Sequence, residues 1–244
     1  MAIRLECLVI DAVNPSTLAR FWADALGWPV TYEEPDQVVV ELDGEPFIPL
    51  VFVPVPDPTQ GQNRIHLDLT SISPEHQAEQ VSRLETRGAT PVDIGQGDVP
   101  WVVLADPEGN EFCVLDPRAV YGDTGPVGSV VMRCVDPAAL APFWSAATGW
   151  PVADTGDDWV SLRRPGGRGP FVELLAAADP KTVKNRLHID VAPYEDDDHA
   201  AEVTRLEDTG ARRIDIGQGD QSWVVMSDPE GNEFCVLSPH GMPS

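Results

Sequence analysis

Arg64, His66 and Asp68 alternate with Ile65, Leu67 and Leu69 along one short β-rich run. Successive side chains of a strand point to opposite faces, so the three polar residues share one face and the three aliphatic residues the other. A guanidinium, an imidazole and a carboxylate in a row make either a polar wall that selects a ligand or an internal network that holds neighbouring elements in register. The row recurs as Arg186, His188 and Asp190. By the same alternation Glu111 shares a face with Cys113, and Glu233 with Cys235. A carboxylate turned into an enclosed site is a candidate general base; the alternative is a solvated residue just after a turn. Trp101 and Trp223 stand on strands leading into those turns, where they either wall a planar ligand or fill core. The chain has no Gly-x-Ser-x-Gly elbow and no His-Glu-x-x-His pair. Gly95–Asp98 reads as a turn, because it opens no helix.

The elements that position these residues are written twice. DPEGNEFCVL occupies 106–115 and again 228–237, an offset of 122 residues in a chain of 244. The same offset links DIGQGD at 93–98 and 215–220, Asn63-Arg64-x-His66-x-Asp68 and its second copy from Asn185, and FW-x-x-x-x-GWPV from Phe21 and Phe143. The chain is a tandem duplication, read as one domain over 1–121 and a second over 122–244, with a Gly/Pro-rich linker around Tyr121–Gly128.

Each copy divides again. Ile3–Ile10 reads as a strand. Asn14 then offers an N-cap and Pro15 the first helical residue. Leu18, Phe21, Trp22 and Ala25 fall on one helix face, and Gly27 stands where a helix-ending glycine belongs. Short strands follow at 29–34, 37–42 and 47–54. The cycle restarts with a strand at 64–69, a helix capped by Ser73-Pro74 and stopped at Gly88, and runs near 91–94, 100–105 and 111–115. Each half is therefore βαβββ, and the chain holds four such modules. Pro142 falls inside the first helix of the second copy, which predicts a bent or shortened helix there.

Sixteen Lys and Arg against 40 Asp and Glu give a formal charge of −24. That balance argues against phosphate-backbone binding, hence no nucleic-acid partner, and against docking on an anionic membrane. No apolar run approaches a membrane span, and the N-terminus does not read as a secretory signal. Cys7, Cys113, Cys134 and Cys235 form neither a CxxC pattern nor a disulfide framework. Together these readings predict a cytoplasmic protein with reduced thiols, as a monomer or homodimer.

Four βαβββ modules, FW-x-x-x-x-GW helices, the NR-x-H-x-D strand and DPEGN before the last strand resemble the vicinal oxygen chelate superfamily, in particular its glyoxalase-like branch. The resemblance covers nearly the whole chain. It implies an α+β fold in which paired modules form two cupped, eight-stranded mixed half-barrels with helices outside. The pairing of modules, sequential or exchanged between the two copies, stays open. Exchange would bring Cys7 to His188 and Cys235, and Ser129 to His66 and Cys113.

In metal-using relatives the ligands come from the first and last strands of paired modules. Carried over by position, these fall on Cys7 or Ser129, His66 or His188, and Cys113 or Cys235. The remaining ligand falls near Val51 or Val53, and near Glu173 or Leu175. Sulfur and hydroxyl thus stand where carboxylates are usual. The reading is a protein that needs no cofactor and binds a small aromatic or oxygen-rich molecule in its cup. The binding wall is assigned to Arg64, His66, Asp68, Trp101, Cys113, Arg186, His188, Asp190, Trp223 and Cys235. The resemblance keeps two alternatives open. One is a metal-dependent lyase or isomerase of glyoxalase I type, with a divalent ion such as zinc on Cys7, His66, Cys113, Glu173, His188 and Cys235. The other is a structural pseudo-enzyme with filled pockets.

Overall fold

The computed structural model describes residues 3–239 except 43, 45, 46, 59 and 60. Four βαβββ modules follow one another. The first is β1 (Ile3–Ala12), α1 (Pro15–Leu26), β2 (Val30–Glu34), β3 (Gln37–Val40) and β4 (Leu50–Pro54). The second is β5 (Ile65–Leu69), α2 (Pro74–Thr86), β6 (Thr90–Pro91), β7 (Val102–Ala105) and β8 (Glu111–Val114). A short 3-10 turn at Ala119–Tyr121 leads to the third: β9 (Val127–Cys134), α3 (Pro137–Thr148), β10 (Val152–Thr155), β11 (Trp159–Arg163) and β12 (Phe171–Ala176). The fourth is β13 (Leu187–Pro193), α4 (His199–Asp208), β14 (Arg212–Arg213), β15 (Val224–Ser227) and β16 (Glu233–Val236). None of these helices is long and apolar enough to cross a membrane.

The modules pair by exchange. One eight-stranded sheet runs β14-β15-β16-β13-β1-β4-β3-β2, and the other β10-β11-β12-β9-β5-β8-β7-β6. Module one therefore shares a sheet with module four (the outer cup), and module two with module three (the inner cup). Each sheet is mixed and remains open. First and last strands of a module run parallel, and the two modules meet antiparallel at β1·β13 and β5·β9.

The alternation in the sequence decides which face is which. Ile65, Leu67 and Leu69, with Leu187, Ile189 and Val191, enter one continuous core with the apolar faces of all four helices. Burying each such side chain stabilises the fold by roughly 1.5–3 kcal/mol. The opposite faces of the sheets carry small separate clusters: Val103, Cys113, Leu115, Tyr121 and Phe171 in the inner cup, and Cys7, Val9, Val39 and Val51 in the outer.

A helix interior and a helix end refine the local expectations. Pro142 neither shortens nor ends α3, which has 12 residues like α1. Pro142 and Ala138 both lie on the exposed face, so the carbonyl that loses its hydrogen bond faces water. Asn14 occupies the N-cap of α1 without a side-chain cap bond. Instead the Glu108 carboxylate accepts the Val13 and Asn14 N–H groups, each at 2.7 Å.

Candidate functional site

The repeated motifs turn out to be joints. Asp106 accepts the Trp22 indole N–H at 3.2 Å and the backbone N–H groups of Glu108 and Asn110. Asp228 does the same for Trp144, Glu230 and Asn232. Asn63 donates to Asn110, and Asn185 to Asn232, both at 3.1 Å. The FW helix, the NR strand and the DPEGN turn are thus tied together within each copy.

Arg64 and Arg186 begin the polar row but reach across to the other copy. Arg64 donates to the carbonyls of Arg133 and Asp179, at 3.1 and 2.6 Å. Arg186 donates to the Asp57 carbonyl at 2.7 Å and to Glu108 at 3.3 Å. These buried guanidiniums strap the exchanged halves, although Arg64 Nη2 and Arg186 Nε have no hydrogen-bond partner among the described residues. Glu111 accepts the Asn63 N–H at 3.1 Å. Glu233 accepts the Asn185 N–H at 3.1 Å and Lys181 Nζ at 2.6 Å. As bases they are engaged by structure.

The rest of each row faces its cup. One donor atom each from His66, Asp68 and Cys113 lies within 4.8 Å of the others, and His188, Asp190 and Cys235 repeat the cluster. The parallel register of β5 with β8 puts Asp68 opposite Cys113, and that of β13 with β16 puts Asp190 opposite Cys235. His66 Nε2 is 3.5 Å from Asp68 Oδ1, and His188 Nε2 is 3.4 Å from Asp190 Oδ1. These separations are longer than an ordinary hydrogen bond. Both Oδ1 atoms are buried without a hydrogen-bond partner among the described residues.

Burial raises both thiols well above their usual range, and the neighbouring aspartate raises them further. They stay un-ionised and are poor nucleophiles. In the outer cup burial pushes His188 down to about 3 and Asp190 up to about 7.

The two cups differ beyond this shared cluster. At the position of Val51 in the outer cup the inner cup has Glu173, and at that of Cys7 it has Ser129. Tyr121 donates its hydroxyl to Glu173 Oε1 at 3.0 Å, and Ser129 approaches Asp68 Oδ2 at 3.5 Å. Burial, then the nearby Asp68, raises the Glu173 carboxyl above its ordinary range. Trp101 packs against the inner cluster, and the Arg118 guanidinium lies over its ring, 5.5 Å from the centroid. The outer cup instead presents Val9, Val39 and Val51, with Tyr32 and Val53 against them, and Trp223 beside Cys235. Tyr121 opens the segment read from sequence as linker, and Arg118 lies just before it. The only sequence signal for Tyr121 is an aromatic residue at the start of a Gly/Pro-rich stretch.

The donors fit a metal ion. Imidazole, carboxylate and thiol at this spacing suit a borderline ion such as zinc. The two orphaned carboxylate oxygens are what such an ion would satisfy, and the thiol would give up its proton on binding. Asp68 and Asp190 supply carboxylates that carry-over by position alone leaves out of the ligand set.

Comparison with known proteins agrees with this architecture. The sequence profile of the glyoxalase-like domain matches residues 7–115 and 129–237. The chain therefore belongs to the glyoxalase-like domain family, within the vicinal oxygen chelate superfamily. Glyoxalase I from Zea mays superposes with a TM-score of 0.68 at 13% identity, covering 98% of this chain and 93% of that one. A protein named as a candidate dioxygenase from Bacillus subtilis gives 0.63 at 15% identity, covering 97% and 85%. At these identities the likeness shows the fold. No match was found among curated proteins.

Proposed function

We propose that the inner cup binds a small planar molecule carrying hydroxyl groups, without needing a metal, and that the outer cup is filled by its own side chains. The observation that carries this reading is the contrast between duplicated cups. Both keep His, Asp and Cys, but the inner one adds Glu173 and Ser129 where the outer one has valine and cysteine, and Tyr121, whose position in the repeat falls on Pro243, outside the described residues. The buried Asp68 and half-buried Glu173 carboxylates in one cup favour a ligand that donates hydrogen bonds, and Trp101 offers a face for its ring. Arg118, paired with Asp116, lies over the Trp101 ring, and Arg64 and Arg186 hold backbone carbonyls of the other copy. Catechol is a suitable probe. Titrated into chelator-treated protein, it should quench tryptophan fluorescence saturably. W101F should remove most of that quenching, and E173Q or Y121F should weaken binding at least about tenfold, since a hydrogen bond to a charged group contributes roughly 1.5–3 kcal/mol. Absence of saturable quenching across a set of hydroxylated aromatics would sink the proposal.

A second reading rests on the orphaned Oδ1 atoms of Asp68 and Asp190. Zinc held by His66, Asp68 and Cys113 would act as a Lewis acid toward a ligand oxygen. Native mass spectrometry and a cobalt titration decide it. A thiolate-to-cobalt absorption band lost in C113S and D68N supports this reading, and no bound metal with no band removes it.

A further inference from the structure

A cavity of about 670 Å³ lies between the end of α1, the first turns of α2 and the segment 117–126, bordering the inner cup at Arg118 and Tyr121. Its size suits a small organic ligand. No Asp or Glu lines it, in a chain with 40 acidic and 16 basic residues. Its polar side chains include Ser71, His76, Gln80, Arg83 and Arg118, and the exposed Ile72 forms part of its lip. His76 Nδ1 accepts the Ile72 N–H at 3.3 Å, which leaves Nε2 as the protonated donor of the neutral ring.

The duplication supplies an internal control. In the second copy Asp198 and Glu202 stand where the first has His76 and Gln80. Buried Glu202 pairs with Arg205 at 2.7 Å. Arg205 is the counterpart of Arg83 and holds the Ala146 carbonyl near the end of α3 at 3.0 Å. Arg83 holds the Asp24 and Ala25 carbonyls at the end of α1 in the same manner, at 3.3 and 3.0 Å. Its would-be counter-ion is replaced by Gln80, which accepts a hydrogen bond from Ser71 instead. Among the described residues Arg83 has no carboxylate partner, so the first copy keeps the positive charge and opens it to a cavity.

We infer that this cavity is a binding site for a small organic carboxylate, held by Arg83 with help from His76. Guanidinium–carboxylate pairing is charge-assisted and directional. The test is calorimetric titration of the full chain with benzoate, and with benzyl alcohol as the uncharged match. Benzoate should saturate at one site and benzyl alcohol should bind at least tenfold more weakly. Q80E restores the counter-ion that the second copy carries and should weaken benzoate at least tenfold. R83Q, on an exposed side chain, gives the same readout should Q80E fail to fold. The inference is overturned if benzoate shows no saturable binding, if benzyl alcohol binds as well, or if the folded variants bind like the parent chain.

Discussion

Cys7 stands opposite Asp190 in the register of β1 with β13. A residue of the first copy thereby joins a cup whose His188, Asp190 and Cys235 all come from the second. Neither copy owns a complete cup, and Arg64 and Arg186 strap the exchange from both sides. Residues 1–121 expressed alone expose the unpaired edges of β1 and β5, which favours association or unfolding. We expect no cooperative monomer from that fragment, and recovery of the native melting profile when it is co-expressed with 122–244. Light scattering and thermal unfolding check this. A fragment that melts cooperatively as a monomer near the temperature of the full chain would contradict it.

Asp106 and Asp228 do equivalent work in the two copies. Each gathers an indole N–H and two backbone N–H groups in a buried turn. Replacing either by Ala leaves several buried donors without an acceptor, at about 1–3 kcal/mol for each that finds no water. We expect D106A and D228A each to lose about 2–4 kcal/mol in urea unfolding, and W22F about 1 kcal/mol. A loss below 0.5 kcal/mol, the ordinary range for surface changes, would show that the DPEGN turn is not a structural joint.

The periodic parts of this fold were legible. The alternation of Ile65, Leu67 and Leu69 fixes which face of β5 is core, and the helix faces and module count follow from spacing alone. The pairing of modules was not. Duplicated copies present equivalent strand edges, so β13 suits β1 and β9 alike on local grounds. Long-range contacts such as Arg186 to the Asp57 carbonyl accompany the exchange, and no local pattern encodes them. His66 and Asp68 could be read as neighbours on a strand, but the approach of Cys113 depends on a parallel register set by the whole module. Tyr121 and Arg118 lie outside any periodic element, and periodicity is silent there. Pro142 leaves the length of α3 unchanged, and its effect depends on which way the freed carbonyl points, which spacing does not show.

Gly149 and Gly27 end equivalent helices with φ of +73° and +69°. A Cβ on Gly27 meets nothing within 4 Å, whereas one on Gly149 falls 2.6 Å from the Ile3 carbonyl oxygen. G27A should therefore cost only the left-handed backbone penalty, about 1–2 kcal/mol. G149A adds a backbone clash between α3 and β1, two elements of different copies. We expect G149A to lower the melting temperature clearly more than G27A. Equal shifts would mean that β1 does not pack on the end of α3.

His188 and Asp190 should shape the acid side of the stability profile, in opposite directions. Burial raises Asp190 to about 7 and lowers His188 to about 3, against roughly 3.9 and 6.5 in an unfolded chain. For Asp190 alone the folded state binds the extra proton between about pH 4 and 7, so stability falls as pH rises through that window. For His188 alone the unfolded state binds the extra proton between about pH 3 and 6.5, so stability rises with pH. Between about pH 4 and 6.5 the intact pair holds one proton in either state, on Asp190 when folded and on His188 when unfolded, and the two slopes cancel. D190N removes the falling slope and leaves the rising one, at most about 1.4 kcal/mol per pH unit. The unfolding free energy of D190N minus that of the parent chain should therefore climb with pH across this window, and that of H188Q should descend. Urea unfolding at a series of pH values measures both differences. If the D190N profile runs parallel to the parent's throughout, the pair does not hold its single proton on Asp190 in the folded state.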